Sequence, residues 1–261
     1  MAFTRKQLGL PYLFFLILFV LFPLIIIFYY ALTDSYGHLT LSNFISFFTN
    51  PKALGTLFYS AVIAFLATAG CMLLAYPTAY ILARGRIPRG AAWLVIIVLP
   101  MWINFTLRMT ALKEILSAIE GNLAYYPFVN TVIGMIYDFM PFMVMPLYNS
   151  LEKLDQQIIE AAYDLGASKF TVFVKVILPM STPGIVSGIT MVFLPAMTNY
   201  VVLDMLYNST YIMGSLIGSY FSAFNWHSGS MVSAVLLVLI GFMTWLGGRA
   251  KEVDRREGER L

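Results

Sequence analysis

Long runs of apolar residues alternate with short polar stretches along this chain of 261 residues. A helix that crosses a bilayer needs about 20 consecutive, mostly apolar residues. Six stretches meet this requirement, at 10–32, 57–82, 90–110, 128–150, 180–203 and 229–248. The pattern therefore predicts an all-α integral membrane protein with about six transmembrane helices, built as a single transmembrane domain over residues 1–261.

The composition excludes a soluble fold. Hydrophobic residues make up 60% of the chain and charged residues 11%, whereas a typical soluble domain is about 25% charged. Arg5 and Lys6 precede the first apolar run, as in a signal peptide, but the run is too long and no A-x-A cleavage pattern follows it. We expect that helix to be retained. The single cysteine, Cys71, is expected to be a small residue facing lipid or the core.

The distribution of Lys and Arg predicts the orientation. With six spans both termini lie on one side, and that side carries thirteen basic residues: Arg5, Lys6, Arg84, Arg86, Arg89, Lys153, Lys169, Lys175, Arg249, Lys251, Arg255, Arg256 and Arg260. The opposite side carries Lys52 and Lys113. Basic loops stay in the cytoplasm, so both termini are predicted to be cytoplasmic. The net charge of +3 reflects this topology and does not indicate nucleic-acid binding.

Glycines and prolines within the spans suggest how the helices pack. Gly184 and Gly188 form a G-x-x-x-G pattern on the fifth span, which permits close helix approach. Six prolines lie inside or at the ends of spans, and they indicate either ordinary kinks, or hinges or a broken helix that line a path: Pro23, Pro77, Pro100, Pro141, Pro146 and Pro195. The external connections are predicted at 33–56, 111–127 and 204–228, with a turn at Gly121-Asn122.

The cytoplasmic connection 151–179 has a pattern of its own. Apolar residues recur there at helical spacing among acidic and polar ones, which predicts an amphipathic helix. The apolar positions are Leu151, Leu154, Ile158, Ala162 and Leu165. Gly166 is predicted to end this helix. Ser168 is predicted to cap a second helix that begins at Lys169.

The same connection contains a recognisable motif. It reads Glu160-Ala161-Ala162, then Gly166, then Val176-Ile177-Leu178-Pro179. This resembles the EAA signature of permease subunits in binding-protein-dependent ABC importers, with Val176 where Ile is usual. The resemblance implies a type I, MetI-like permease fold in which 151–179 is a cytoplasmic coupling loop. It also implies that Glu160, Ala161, Ala162, Asp164 and Gly166 contact an ATPase. The alternative is an interfacial helix lying on lipid, which the acid-rich polar face disfavours.

Longer segments of the sequence indicate which group of these permeases the chain resembles. Residues 140–155 lead directly into the motif, and Pro100-Met101-Trp102-Ile103-Asn104 and Leu194-Pro195-Ala196-Met197 lie elsewhere in the chain. Together they resemble the permeases of spermidine/putrescine importers over essentially the whole chain, apart from the first external loop.

The resemblance implies a complex that imports polyamines by alternating access. Its other members would be a second homologous permease, a dimer of a cytoplasmic ATPase and an external polyamine-binding protein, all acting at a lipid membrane. The chain has no G-x-x-x-x-G-K-[ST] phosphate loop. We therefore expect a transport subunit that is not itself an enzyme and holds no cofactor, with ATP and Mg bound by the partner ATPase.

Polar and aromatic residues in or beside the spans are candidate contacts for a polycation: Trp102, Asn104, Asp138, Tyr200 and Asp204. Aromatic faces attract ammonium groups by about 0.5–2 kcal/mol each. Asp138 is predicted either to contact the cation or to pair with Arg108, and Asp204 either to contact it or to be a plain helix-end carboxylate. The other three residues either line the path or pack at the membrane interface.

Other functional classes have less support in the sequence. An ABC importer for another small solute stays open, and so does a self-sufficient carrier or channel, for which the long cytoplasmic connection has no evident purpose. A membrane enzyme would need a polar catalytic cluster, and the sequence contains no such constellation. The two histidines, His38 and His227, lie far apart and have no metal-ligand spacing.

Overall fold

The structure, a computed structural model, describes residues 5–85 and 87–258, with side chains at 11–85, 87–242 and 244–245. The described chain is helical, and its only β-type pairing is an isolated bridge between Thr33 and Leu39. The α-helices are α1 (Arg5–Leu16), α2 (Phe22–Ala31), α3 (Ser42–Thr49), α4 (Pro51–Arg84), α5 (Gly90–Val98), α6 (Phe105–Glu120), α7 (Pro127–Glu152), α8 (Gln156–Asp164), α9 (Lys169–Val172), α10 (Leu178–Met180), α11 (Thr182–Ala196), α12 (Tyr200–Met205), α13 (Met213–Ser222) and α14 (Trp226–Gly258).

The described residues divide into two compact units. One contains the chain up to Phe58 together with Met213–Gly241, and the other contains Tyr59–Ile212 together with the described residues from Phe242 onward. The single domain over 1–261 stays a prediction.

Most of the predicted spans correspond to helices, or to bent helix pairs, that are long and apolar enough to cross a bilayer. Among the described residues, three helical stretches are long and apolar enough to cross a bilayer: Pro11–Ala31, Pro51–Arg84 and Pro127–Glu152. Two bent helix pairs raise the number to five if each pair is one span. The apolar part of α14, Trp226–Phe242, is shorter and corresponds to the predicted sixth span. Pro77, Pro141 and Pro146 lie inside continuous helices.

The third predicted span is divided by a sharp bend. Gly90–Trp102 and Phe105–Glu120 meet at 97°, so the broken helix, one of the alternatives predicted for the prolines, is formed near Pro100. That this break lines a path stays a prediction. Pro100 lies in a 3₁₀ turn, and the Asn104 side chain accepts a hydrogen bond from the Thr106 N–H at 2.9 Å, which caps α6. Because α6 continues to Glu120, most of the predicted loop 111–127 is helical. The predicted turn is confirmed at Gly121, whose φ is +75°.

The fifth predicted span is also broken. Lys169–Met180 and Thr182–Ala196 meet at 64°, and the chain breaks again before α12. At the first bend the Ser181 hydroxyl donates to the Leu178 carbonyl at 2.9 Å, and Tyr76 of α4 lies 2.9 Å from the same hydroxyl. Side chains therefore satisfy the polar groups at this bend.

Helices α7 and α11 approach each other closely at the two glycines of the G-x-x-x-G pattern. A Cβ on Gly184 would lie 2.5 Å from Ser150 Cβ and 2.8 Å from the Pro146 carbonyl. A Cβ on Gly188 would lie 2.4 Å from Met143 Sδ. The predicted close approach is confirmed. Cys71, on α4, is buried and donates a weak hydrogen bond to the Ile136 carbonyl of α7 at 3.6 Å, so it faces the core.

The first external segment, predicted as a loop over 33–56, contains helix α3. Asn43 of this helix donates to the carbonyls of Ala31 at 3.1 Å and Thr33 at 2.9 Å, which ties the helix to the end of α2. The Asp34 carboxylate accepts from the N–H groups of His38 and Tyr36, each at 2.9 Å. These donors, His38 first, hold the pKa of Asp34 below its ordinary value.

The contact of α7 with α11 gives a direct test of the packing. Gly184→Ala places a methyl group against Ser150 and the Pro146 carbonyl, so we expect the free energy of unfolding to fall by about 1–3 kcal/mol. Gly55→Ala in α4 is the matched control, since, apart from the backbone of its own helix, the described residues leave open space around its added Cβ. The control is expected to be neutral or to stabilise by about 0.4–1 kcal/mol. Thermal unfolding in detergent measures both, and equal stability of the two variants would contradict the close contact.

Candidate functional site

The cytoplasmic connection is a helix–turn–helix that follows the end of α7. Helix α7 ends at Glu152, and Asp155 accepts a hydrogen bond from the Gln157 N–H at 2.9 Å, which caps the start of α8. Leu151 and Leu154 were predicted to belong to the amphipathic helix, but they precede α8 and are buried. The sequence predicted one continuous helix across this junction because the spacing of apolar residues is the same on both sides of it.

Helix α8 presents most of its surface outward. Ile159 is its one buried residue. Glu160, Ala161 and Asp164 are exposed, and Ala162 is partly exposed. Leu165, just after the helix, is 89% exposed. Most of the surface of α8 is therefore open to solvent or to a partner.

The turn after α8 is built as predicted. Gly166 has φ +82°, a left-handed conformation that glycine adopts without steric cost. The N–H of Ala167 donates to the Ala162 carbonyl at 3.2 Å, and that of Gly166 to the Tyr163 carbonyl at 2.9 Å. Ser168 then accepts from the Thr171 N–H at 3.2 Å and caps α9. Both predictions about this turn, the stop and the cap, are confirmed.

A buried polar cluster lies among α6, α7 and the break before α12. Arg108 and Asp138, 8% and 5% exposed, form an ion pair. The Asn199 amide donates to the other Asp138 oxygen at 3.3 Å. The Arg108 guanidinium also lies over the Tyr137 ring, 5.9 Å from its centroid. Of the two predictions for Asp138, the pair with Arg108 is formed, and a cation contact stays a prediction.

Asn199 is a member of this cluster that the sequence did not suggest. It follows Pro195 by four residues, in a stretch predicted as continuous helix. Its N–H donates to the Pro195 carbonyl at 2.9 Å, where the helix ends. A polar amide beside a proline in an apolar span was the available signal.

The other four path candidates lie between α5 and α6 or on α12. Trp102 is 86% exposed and lines an apolar pocket of about 180 Å³ with Leu94, Val95, Val98, Leu99 and Met145. Asn104 is exposed and caps α6. Tyr200 begins α12, and Asp204 is exposed near its end. Within the described residues, no hydrogen bond joins any of these four to Asp138 directly.

The chain matches the model of a known protein family. Residues 1–250 match the model described as "Binding-protein-dependent transport system inner membrane component". The chain belongs to this family. The permease is therefore a multi-pass, inner-membrane component of an ABC importer.

Curated relatives extend the likeness over nearly the whole permease. It is 33% identical to the spermidine/putrescine transport system permease protein PotB of Haemophilus influenzae over 266 aligned positions, covering 94% of this chain and 93% of that protein. It is also 33% identical to PotB of Escherichia coli strain K12, over 80% of this chain and 82% of that protein.

Solved structures share the fold at low sequence identity. A bacterial ABC transporter that imports the acidic polysaccharide alginate aligns with a TM-score of 0.68 at 15% identity, over 94% of each chain. The inward-facing MetNI methionine ABC transporter aligns with a TM-score of 0.59 at 17% identity, over 77% of this chain and 95% of that one. The permease thus has the type I, MetI-like fold, as the sequence predicted.

The buried ion pair of the permease predicts that substitutions of its two residues change the free energy of unfolding in a non-additive way. Arg108→Met would leave the Asp138 carboxylate buried without its cation, and the free energy of unfolding is expected to fall by about 3–5 kcal/mol. Adding Asp138→Leu removes the unpaired charge and is expected to recover most of that loss. Thermal unfolding of the wild type, both single variants and the double variant completes the cycle. If the losses in the single variants simply add in the double variant, the pair is not a coupled buried pair.

Proposed function

We propose that the permease is the transmembrane subunit of an importer that carries polyamines, spermidine or putrescine, into the cytoplasm. The observation that carries the proposal is the 33% identity to PotB of Haemophilus influenzae across 94% of this chain. That identity extends over nearly the full length of both proteins. Transport would proceed by alternating access, driven by ATP hydrolysis on another subunit.

The proposed complex has four kinds of component. A second homologous permease would complete the path, a dimer of a cytoplasmic ATPase would hold ATP and Mg, and an external polyamine-binding protein would deliver the substrate. The family description, a binding-protein-dependent system, supports the last of these. The biased distribution of Lys and Arg supports a membrane orientation with both termini in the cytoplasm.

Helix α8 and the turn at Gly166 are proposed as the contact with the ATPase. Glu160, Ala161, Ala162, Asp164 and Gly166 would form it. The geometry supports this role because α8 is capped at its start, turned sharply at its end and exposed on most of its surface. Small alanine side chains allow close approach of a groove, and the two acids would pair with basic groups on the partner.

The residues proposed to contact the polyamine are Trp102, Asn104, Asp138, Tyr200 and Asp204. Exposed carboxylate and aromatic groups on α12 favour a cation at that helix, since aromatic faces and carboxylates both attract ammonium groups. Asp138 would take part only if the cation competes with Arg108 for its carboxylate.

Uptake into proteoliposomes tests the function. The purified complex that contains this permease is reconstituted into liposomes, with ATP supplied either inside or outside the vesicles. Labelled spermidine is then added with or without the external binding protein. We expect uptake that needs both ATP and the binding protein, and that putrescine reduces while an unrelated amino acid does not. Uptake of a different solute under the same requirements would overturn the polyamine assignment. Uptake by this chain alone under an ion gradient would overturn the subunit assignment.

Charge reversal at Glu160 tests the coupling contact. Glu160→Lys would place a cation against the basic groups proposed on the ATPase, and a like-charge contact costs several kcal/mol. We expect ATP-driven uptake to fall about tenfold or more, while the variant still folds with an unchanged melting temperature. Glu160→Gln keeps the shape without the charge and is expected to lose less. Normal uptake by Glu160→Lys would rule out a role for this acid in coupling.

A further inference from the structure

Arg84, the last residue of α4, makes three side-chain contacts with the junction between α7 and α8. Its Nε donates to the Leu151 carbonyl at 2.9 Å. Its Nη2 donates to the Leu154 carbonyl, and its Nη1 donates to Gln156 Oε1 at 3.2 Å. All three acceptors lie about 70 residues away along the chain. One side chain therefore joins the end of a membrane-spanning helix to the start of α8.

The chemistry of this contact depends on arginine. The last carbonyls of a helix lack the usual partner four residues on, and a carbonyl oxygen such as that of Leu151, which accepts from the Leu154 N–H at 3.3 Å, has a second lone pair for another donor. The C-terminal end of the helix dipole also favours a positive charge. A guanidinium offers five N–H donors in a rigid plane, so it reaches several acceptors at once. A lysine ammonium at the same place is a point charge and would not span Leu151, Leu154 and Gln156 together.

The contact continues to the acid of the EAA motif. Gln156 accepts from Arg84 through its side-chain oxygen and donates through its side-chain nitrogen to Glu160 at 3.2 Å. The cation on one side needs the amide oxygen, and the carboxylate on the other side needs the NH₂ group, so both neighbours favour the same amide orientation. A continuous chain of hydrogen bonds thus runs from Arg84 through Gln156 to Glu160.

Apolar packing leaves much of the placement of α8 to these bonds. Ile159 is the one buried residue of the helix. A helix held by a single buried side chain has little hydrophobic anchoring. Polar contacts from Arg84 therefore contribute to where α8 sits relative to the end of α4, together with the packing of α8 against α9 and residues 173–177.

We propose that Arg84 is a positioning residue that transmits displacement of α8 to the membrane-spanning helix α4, through Gln156 and the carbonyls at the end of α7. This inference rests on the proposed function, in which α8 contacts the ATPase. If a partner moves α8, the end of α4 moves as well, because the Arg84 guanidinium on α4 is hydrogen-bonded to Gln156 of α8. Without the guanidinium, α8 moves while α4 lags, and ATP hydrolysis is no longer converted fully into transport.

The test measures uptake per ATP hydrolysed by the complete complex in proteoliposomes. For Arg84→Ala we expect this ratio to fall about fivefold or more, as for the loss of a typical coupling energy between sites, while ATP hydrolysis continues. Arg84→Lys is expected to recover part of the ratio. Gln156→Ala keeps both carbonyl contacts and is expected to lower the ratio less. The double variant should be no worse than Arg84→Ala, because Gln156 acts through Arg84.

Arg89→Asn is the matched control. Arg89 belongs to the same basic stretch of the chain, and its side chain is exposed. Its φ of 60° is left-handed, and asparagine tolerates that conformation. The control removes one positive charge nearby and is expected to leave uptake per ATP unchanged. If it lowers the ratio as much as Arg84→Ala does, general loss of basic charge explains the effect and the inference is overturned.

Melting temperatures in detergent separate positioning from simple stabilisation. A purely structural Arg84 would lower the melting temperature and reduce uptake and ATP hydrolysis in proportion, and that result would overturn the inference. If Arg84→Ala does not fold, an unchanged ratio in Gln156→Ala would overturn it as well. A wild-type complex that hydrolyses ATP without moving any solute would instead overturn the proposed function, and the inference would fall with it.

Discussion

The contact between α7 and α11 is the constraint on which the rest of the second unit depends. Lipid gives neighbouring helices no hydrophobic reason to associate, so close van der Waals packing has to supply the attraction. Gly184 and Gly188 allow that packing by removing the side chains that would collide with Ser150 and Met143. With α11 fixed against α7, the chain must change direction at both ends of α11 to continue.

At both changes of direction, side chains of neighbouring helices form hydrogen bonds with polar groups of the break. At the start of α11, Tyr76 of α4 reaches Ser181. At its end, Asn199 donates to Asp138 of α7, which in turn pairs with Arg108 of α6. Irregular backbone within an apolar environment persists only where its polar groups find partners. The buried charges and the helix breaks are thus two parts of one arrangement, since each break brings a polar group to the side chain that satisfies it.

Features set by local chemistry could be predicted from the sequence, and features set by helix rotation could not. Hydropathy located the spans, and glycine and serine chemistry located the turn at Gly166 and the cap at Ser168. The prolines indicated that a break near Pro100 was possible, but the sharp angles there and at Ser181 could not be predicted, because a window of apolar residues has the same composition whether the helix is straight or broken. The partner of Asp138 depended on which way α6 and α7 face, which no single-sequence pattern fixes. Arg84 was counted only as one of many cytoplasmic charges, since its acceptors lie in a distant part of the chain.

The capped turn between α8 and α9 has a consequence for the proposed contact with the ATPase. Asp155 and Ser168 fix the two helix starts, and Gly166 fixes the angle between them, all through bonds within the chain. A recognition element that is already ordered loses little conformational entropy when it docks. Its affinity for a groove then reflects surface contacts alone, without a folding step on each encounter. The proposed contact could then form without waiting for the segment to fold.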